Sequence, residues 1–417
     1  MKKLILLLFF IPLSSFAQEN LSLEKCYALA EVNYPKSKQS DLVKEQSDLN
    51  TEIIKTKKYP KIDFDAQATY QSDVIHFPTE NPGLLIELPN KDQYKATLTL
   101  NQLIYGGGTI DAAIAEENAK SITQLQKVNV ELYQLKPRIN QIYFSLLLTQ
   151  EKRDLLLAKQ KQVEEKLKEI KAGIKYGAVL PTSDAILEAE LLKLQQQLTD
   201  IESTKQNLIQ TLEKYIGSPV SDTSSFTYPE NTIDLSKSLN RPEMELFNLQ
   251  KTQIDNTSSM LQKNRLPKVY GFAQGGYGNP GLNMLDNSFQ AFYYVGLKLN
   301  WNVFDWNKTK KQTQALELNK QIIESEKEEF KLQTNIQLEQ QAIEVAKYNE
   351  FINSDQTIIR LQKHILKTAE SQLKNGVITS SDYMDQLTDL YEAEINLKTH
   401  QIQLLLAQAN YKVIQGN

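Results

Sequence analysis

Lys61-Ile62-Asp63-Phe64-Asp65-Ala66-Gln67-Ala68-Thr69-Tyr70 alternates polar with apolar at every step. Successive side chains leave a β-strand on opposite sides, so this two-residue period predicts a strand with one wet and one greasy face. Tyr94, Ala96, Leu98 and Leu100 alternate in the same way with Lys95, Thr97, Thr99 and Asn101. So do Tyr293, Val295, Leu297 and Leu299 with Tyr294, Gly296, Lys298 and Asn300, while Val269 to Tyr277 is rich in glycine and its faces are ambiguous. The expectation is four strands of about ten residues, near 61–71, 93–103, 268–277 and 290–301. Ser72 to Gln93 and Gly278 to Ser288 carry Pro, Gly and Asn and read as loops.

Outside the strands the period lengthens to that of helices. Gly (15) and Pro (13) are scarce among 417 residues, about half their usual share, so helices can run uninterrupted. Asn307 to Asn375 contains neither, and at 1.5 Å per residue such a helix reaches roughly 100 Å. Thr109 to Ala172 is interrupted only by Pro137, which is expected to kink its helix. Ile358, Leu361, Ile365, Ala369 and Leu373 form a narrow apolar stripe of the kind that seams neighbouring helices. Long helices are predicted over 109–172 and 307–375, with return helices over 182–216 and 382–414.

The two sets repeat. Tyr59-Pro60-Lys61-Ile62 answers Leu266-Pro267-Lys268-Val269, Leu98-Thr99-Leu100-Asn101 answers Leu297-Lys298-Leu299-Asn300, and Tyr176-Gly177-Ala178-Val179 before Ser183-Asp184 answers Asn375-Gly376-Val377-Ile378 before Ser381-Asp382. Three correspondences in one order make a duplication. The first repeat is placed at 18–216, a Ser-, Thr- and Pro-bearing connector at 217–240, and the second repeat at 241–417.

The start of the chain carries an address. Lys2 and Lys3, the apolar run Leu4 to Pro12, and Ser15-Phe16-Ala17 read as a secretory signal peptide over 1–17. Cys26 is the single cysteine, so no internal disulfide is possible, and it is expected to be a small buried helix residue. A net charge of -4 leaves no basic excess for nucleic acid. His76, His364 and His400 form no metal-spaced pair and are taken as lone surface histidines; Gly106-Gly107-Gly108 lacks the Lys-Ser/Thr of a nucleotide loop and reads as a strand-to-helix junction. No cofactor, metal or catalytic group is expected, and the chain is not read as an enzyme.

Amphipathic strands behind a signal peptide suit the staves of an outer-membrane barrel. Four cannot close, and an open sheet edge in lipid leaves backbone groups unsatisfied, so several copies must share one barrel. Its lumen is expected to be lined by Lys61, Asp63, Asp65, Lys95 and Thr97. Tyr105, Trp301, Phe304 and Trp306 lie where strand gives way to long helix, the place of an aromatic girdle at the membrane interface.

In this ordered set of features the chain resembles the TolC family of outer-membrane efflux proteins over essentially all of 18–417: tandem halves, a Pro-bearing element before each first strand, strand pairs, and a Gly then Ser-Asp turn between a very long helix and its return partner. The resemblance implies a mainly α fold with β, a homotrimer with a twelve-stranded barrel and a helical tunnel crossing the periplasm, and an equatorial belt that includes the connector. It also implies docking of a periplasmic membrane-fusion adaptor, with its inner-membrane transporter, at the two helical turns. Gly177, Ala178, Val179, Gly376, Val377 and Ile378 are the docking candidates. Asp382 and Asp385 match the family's pair of entrance aspartates, which in three chains make a ring of carboxylates whose repulsion raises their average pKa; helix capping explains the same residues without a ring. Ser183 and Asp184 match one side of the family's interhelix gate, but Ile378 stands where its Arg is expected and Leu373 where its Tyr is.

The function so indicated is a passive exit duct for small molecules in a tripartite efflux system. The same duct could serve type I protein secretion. A nonconducting envelope coiled coil is the alternative from another class, and it has no need of amphipathic strands.

Overall fold

The computed structural model describes residues 21–75, 89–176, 182–221, 225–229 and 239–416; the signal-peptide reading, His76 and the docking candidates Gly177, Ala178 and Val179 lie outside them. The described elements are α1 (Leu23–Asn33), α2 (Lys38–Thr56), β1 (Lys61–Tyr70), β2 (Asp92–Tyr105), α3 (Thr109–Tyr133), α4 (Lys136–Lys175), α5 (Ser183–Ile216), α6 (Pro242–Lys263), β3 (Lys268–Asn279), β4 (Gln290–Asn300), α7 (Lys308–Lys374) and α8 (Ser380–Gln415). They form two compact units, one of Met1–Gln39, Val128–Met244 and Glu329–Asn417, the other of Ser40–Lys127 and Glu245–Glu328. Neither unit is a repeat; each draws on both.

The first unit is helical. Ser22 caps α1 by accepting from the Lys25 backbone N–H at 3.2 Å, and Leu23, Cys26 and Ala30 bury one face of that helix. They pack with Ile139, Tyr143, Phe144 and Leu147 of α4, Leu212 and Ile216 of α5 and Ile402 of α8. Tyr143 fastens this core to the connector: its hydroxyl lies 2.7 Å from the Thr227 carbonyl and 2.8 Å from that of Leu21. Farther along α4 the buried positions Leu156, Val163 and Ile170 recur every seven residues, as do Leu187 and Leu194 on α5, which is the seam of a coiled coil. Between Thr109 and Lys175 the joint of α3 and α4 falls at Gln134 and Leu135, and Pro137 sits in the first turn of α4, where its missing N–H costs nothing.

The second unit holds the sheet, antiparallel in the order β1-β2-β3-β4. Lys61 pairs with Asn101 in the first hairpin and Lys268 with Asn300 in the second, so the two repeats share one register. Around the sheet, Asn50 donates to Glu117 at 2.7 Å between α2 and α3, and Lys251 reaches Glu324 at 2.6 Å between α6 and α7. The strand-to-helix junctions also match in backbone: Gly107 and Gly108 have φ of +62° and +76°, while Trp306 and Asn307, their counterparts, have +53° and +60°. A left-handed tryptophan is sterically costly, and glycine is the residue that normally takes such a position.

Candidate functional site

The register sorts the sheet into two chemically distinct faces. Ile62 stands opposite Leu100, Phe64 opposite Leu98 and Ala66 opposite Ala96; Leu98 then meets Gly275 and Leu100 meets Ala273; Ala273 meets Val295 and Gly271 meets Leu297. One face is therefore apolar across all four strands, and among the described residues its middle lies open: Phe64 and Val295 are each 70% exposed and Leu297 74%. Water-soluble proteins rarely leave so continuous an apolar surface bare.

The opposite face carries the expected lumen residues together. Lys61, Asp63 and Asp65 stand opposite Asn101, Thr99 and Thr97, with Lys95 opposite Gln67. Lys61 pairs with Asp63 at 2.7 Å, and Thr97 is buried. The second repeat brings aromatic residues to this same face, which the sequence reading missed because glycine carries no polarity to read. Phe272 and Tyr294 meet edge to face at 6.0 Å, and the Tyr294 hydroxyl bonds Gln274, which donates to Thr99 at 2.7 Å. Phe292 covers Gly276, where an added Cβ would lie 2.5 Å from its Cζ, and the Lys95 ammonium sits 5.2 Å from its ring centre.

Tyr105, Trp301, Phe304 and Trp306 are all exposed, and Phe304 meets Trp306 edge to face at 4.9 Å. A second aromatic group lies at the other end of the strands, where Phe289 stacks on Tyr277 at 5.6 Å and Tyr94 at 6.2 Å. Nearby, Asn90 and Asn287 exchange hydrogen bonds of 3.1 and 3.2 Å, clasping the two hairpins.

In the helical unit, α7 ends in a left-handed Gly376 at φ +70°, with Val377 N–H bonded to Gln372 O at 2.8 Å and Gly376 N–H to Leu373 O at 3.0 Å; this is the double bond of a Schellman cap. Val377 is exposed, while Leu373 and Ile378 pack on the apolar cluster of Leu187, Ala369, Tyr383 and Met384. The two residues that replace the family's Tyr and Arg are thus apolar contacts. Ser183 is buried in the first turn of α5, and Asp184 accepts from the Ala185 N–H at 2.9 Å.

Asp382 forms a capping box with Thr379, accepting from its backbone N–H at 2.8 Å and its hydroxyl at 2.7 Å. Those bonds hold the Asp382 carboxyl below its ordinary range. Asp385 lies exposed on the same side of α8.

Two lysines are buried at the α4 seam, which no sequence pattern marked. Lys159 reaches Glu190 of α5 at 2.9 Å and Thr388 of α8 at 3.2 Å, over the Tyr391 ring. One heptad later Lys166 reaches Glu169 at 2.7 Å and Glu370 of α7 at 3.0 Å, over the Tyr383 ring. His400 is not a lone surface residue: Nδ1 lies 2.6 Å from Asp355 and its ring packs on Phe351. Among the described residues no cluster could hold a metal ion.

Residues 238–417 match the family model described as outer membrane efflux protein. The match takes in the second repeat and covers less than half of the chain. A likeness in fold extends over nearly the whole chain: the outer membrane protein VceC of Vibrio cholerae superposes with a TM-score of 0.66 at 14% identity, covering 95% of this chain and 96% of that one. CusC gives 0.69 at 11% identity over 97% and 96%, and the open state of the MtrE outer membrane channel of Neisseria gonorrhoeae gives 0.66 at 15% over 94% and 89%. No curated protein matches the sequence. The chain thus shares its fold with these solved structures over nearly its whole length.

Proposed function

We propose that the chain is one protomer of a homotrimeric outer-membrane exit duct, a passive conduit for small molecules. The observation that carries this reading is the sheet's register, which makes one face apolar from β1 to β4 and leaves β1 and β4 as open edges. Buried in lipid, that face is satisfied; closed against further copies, so are the edges. The aromatic groups give the height of the band. Tyr94 and Tyr105 both lie on β2, about 36 Å apart along an extended chain at roughly 3.3 Å per residue. A barrel tilt of about 40° reduces this to about 28 Å, close to the apolar band of outer-membrane barrels.

The lumen is then the face of Lys61, Asp63, Asp65, Lys95 and Thr97 together with the aromatic residues of the second repeat. A periplasmic adaptor and its inner-membrane pump engage the turns around Gly177, Ala178 and Val179 and around Gly376, Val377 and Ile378, and they supply the energy. Asp382 and Asp385 face the entrance, beside Ser183 and Asp184. Reconstitution in planar bilayers tests the reading: stepwise ion current from a purified trimer is expected, and a monodisperse soluble monomer in periplasmic extract would refute it.

A further inference from the structure

The two repeats share one ladder register in their hairpins, and that equivalence predicts a contact between copies. Lys61 corresponds to Lys268 and Asn101 to Asn300, because each pair holds the same place in its ladder. Inside the chain, the first repeat meets the second through β2 and β3, where Leu100 pairs with Ala273, Thr99 with Gln274 and Leu98 with Gly275. If successive copies continue the same pattern, β4 stands in for β2 and the next copy's β1 for β3.

We propose that β4 pairs antiparallel with β1 of the partner subunit in the register this substitution dictates: Leu299 opposite the partner's Ala66, Lys298 opposite the partner's Gln67, and Leu297 opposite the partner's Ala68. The assignment deepens the duct reading and rests on it. It keeps both faces intact, apolar against apolar and polar against polar, which a slip of one residue would destroy.

The corner beneath the sheet offers a contact of its own. Within the chain Leu266 packs on Gly107, where an added Cβ would lie 2.6 Å from that of Leu266. The counterparts are Tyr59 and Trp306, two large side chains that are 68% and 82% exposed. Matching left-handed backbones at Gly107 and Trp306 present the same seat in both repeats. Trp306 carries the Cβ and ring that Gly107 lacks, so the partner's Tyr59 cannot seat as closely as Leu266 does and meets the ring from farther out. A second sign is an unfinished cavity. The cavity of about 680 Å³ under the first repeat has walls from both repeats, from Thr56 to Lys61 and from Met260 to Tyr270. The one of about 600 Å³ between Gln262 and Gln314 is lined by the second repeat alone. The missing wall is the counterpart of Met260–Tyr270, which the partner's Ile53–Asp63 stretch would supply.

The test uses the full chain in detergent with Cys26→Ser. Leu299→Cys with Ala66→Cys, and Lys298→Cys with Gln67→Cys, sample the wide and the close classes of antiparallel pair, one of which suits a disulfide. Leu297→Cys with Ala66→Cys is the two-residue slip. Mild oxidation should yield covalent dimers and trimers from an in-register pair and not from the slipped pair. An intact trimer in which the slipped pair crosslinks instead, or no pair does, overturns the register alone; a monomer by mass overturns the duct reading with it. The corner is read separately. With only two tryptophans in the chain, Trp301→Phe leaves Trp306 as sole reporter, and adding Tyr59→Ala should shift its emission in the trimer to longer wavelength. Unchanged emission would remove the Tyr59 contact.

Discussion

Lys166 Nζ stands 3.0 Å from Glu370 Oε1, joining α4 to α7 within a few residues of the Gly376 turn. The lysine is buried and the glutamate more than half exposed. A charge at a coiled-coil core position fixes register more than it adds stability, because its desolvation offsets most of the attraction.

Replacing Lys166 with Met should therefore leave thermal stability within about 1 kcal/mol while removing the tie between α4 and α7. Single-channel conductance is expected to rise. A melting curve and a bilayer recording on the same preparation check both halves, and a large loss of stability with unchanged conductance would show the tie to be structural only.

The same contact has a pH signature. Burial alone would lower the Lys166 pKa, but its hydrogen bonds to Glu169 and Glu370 outweigh this and raise it above the ordinary 10.5. A raised folded value means that the stabilisation is complete below pH 10.5 and is lost as pH climbs through the folded pKa. Amide exchange across Lys166–Ile170 should stay flat from neutral pH to that point, after correction for the intrinsic rate, and accelerate beyond it.

Asp382→Asn with Asp385→Asn should weaken cation selectivity, read as a smaller reversal potential under a salt gradient. The Thr379 hydroxyl and N–H hold Asp382 ionised below its ordinary 3.8. Its capping contribution is present above pH 3.8 and disappears as pH falls through the lower folded value, so the part of the selectivity that Asp382 supplies should outlast that of an ordinary carboxylate on acidification.

Gly278→Ala tests the sheet. A Cβ there would lie 2.6 Å from the Tyr94 carbonyl oxygen and 3.2 Å from Lys95 Cα, and backbone cannot yield as a side chain can. A loss of about 1–3 kcal/mol is expected, seen as a lower melting temperature of the assembled protein.

Cys26 should resist maleimide at neutral pH until the chain unfolds. It is fully buried, and that burial, followed by the Glu24 charge, pushes its thiol up to about 12, which leaves almost no thiolate to react. Rapid labelling of the folded protein would contradict the packing of α1.

What was legible in the sequence followed from side chains whose character alternates. β1 could be read from Lys61 to Tyr70 because every position is plainly polar or apolar. β3 could not: Gly271, Gly275, Gly276 and Gly278 give no sign of which side they face, and only pairing with β2 assigns them. The scarcity of Gly and Pro announced the long helices, and Pro137 marks the place, just after the turn at Gln134 and Leu135, where α3 gives way to α4. Lys159 and Lys166 were invisible for a different reason. In helices dense with Lys, Glu and Gln, burial of two particular lysines is decided by which neighbours face them, not by residue type.

The lid that Phe292 forms over Gly276, and the matching one of Phe272 over Gly296, have a further consequence for transit. Each copy contributes an ionic panel from its first repeat and a ring-rich panel from its second to the same wall, so a closed barrel would alternate the two three times around its circumference. An amphiphile passing through could keep its charged end on one panel and its hydrocarbon on the next without settling deeply on either. Such striping favours traffic of many chemistries over retention of any one.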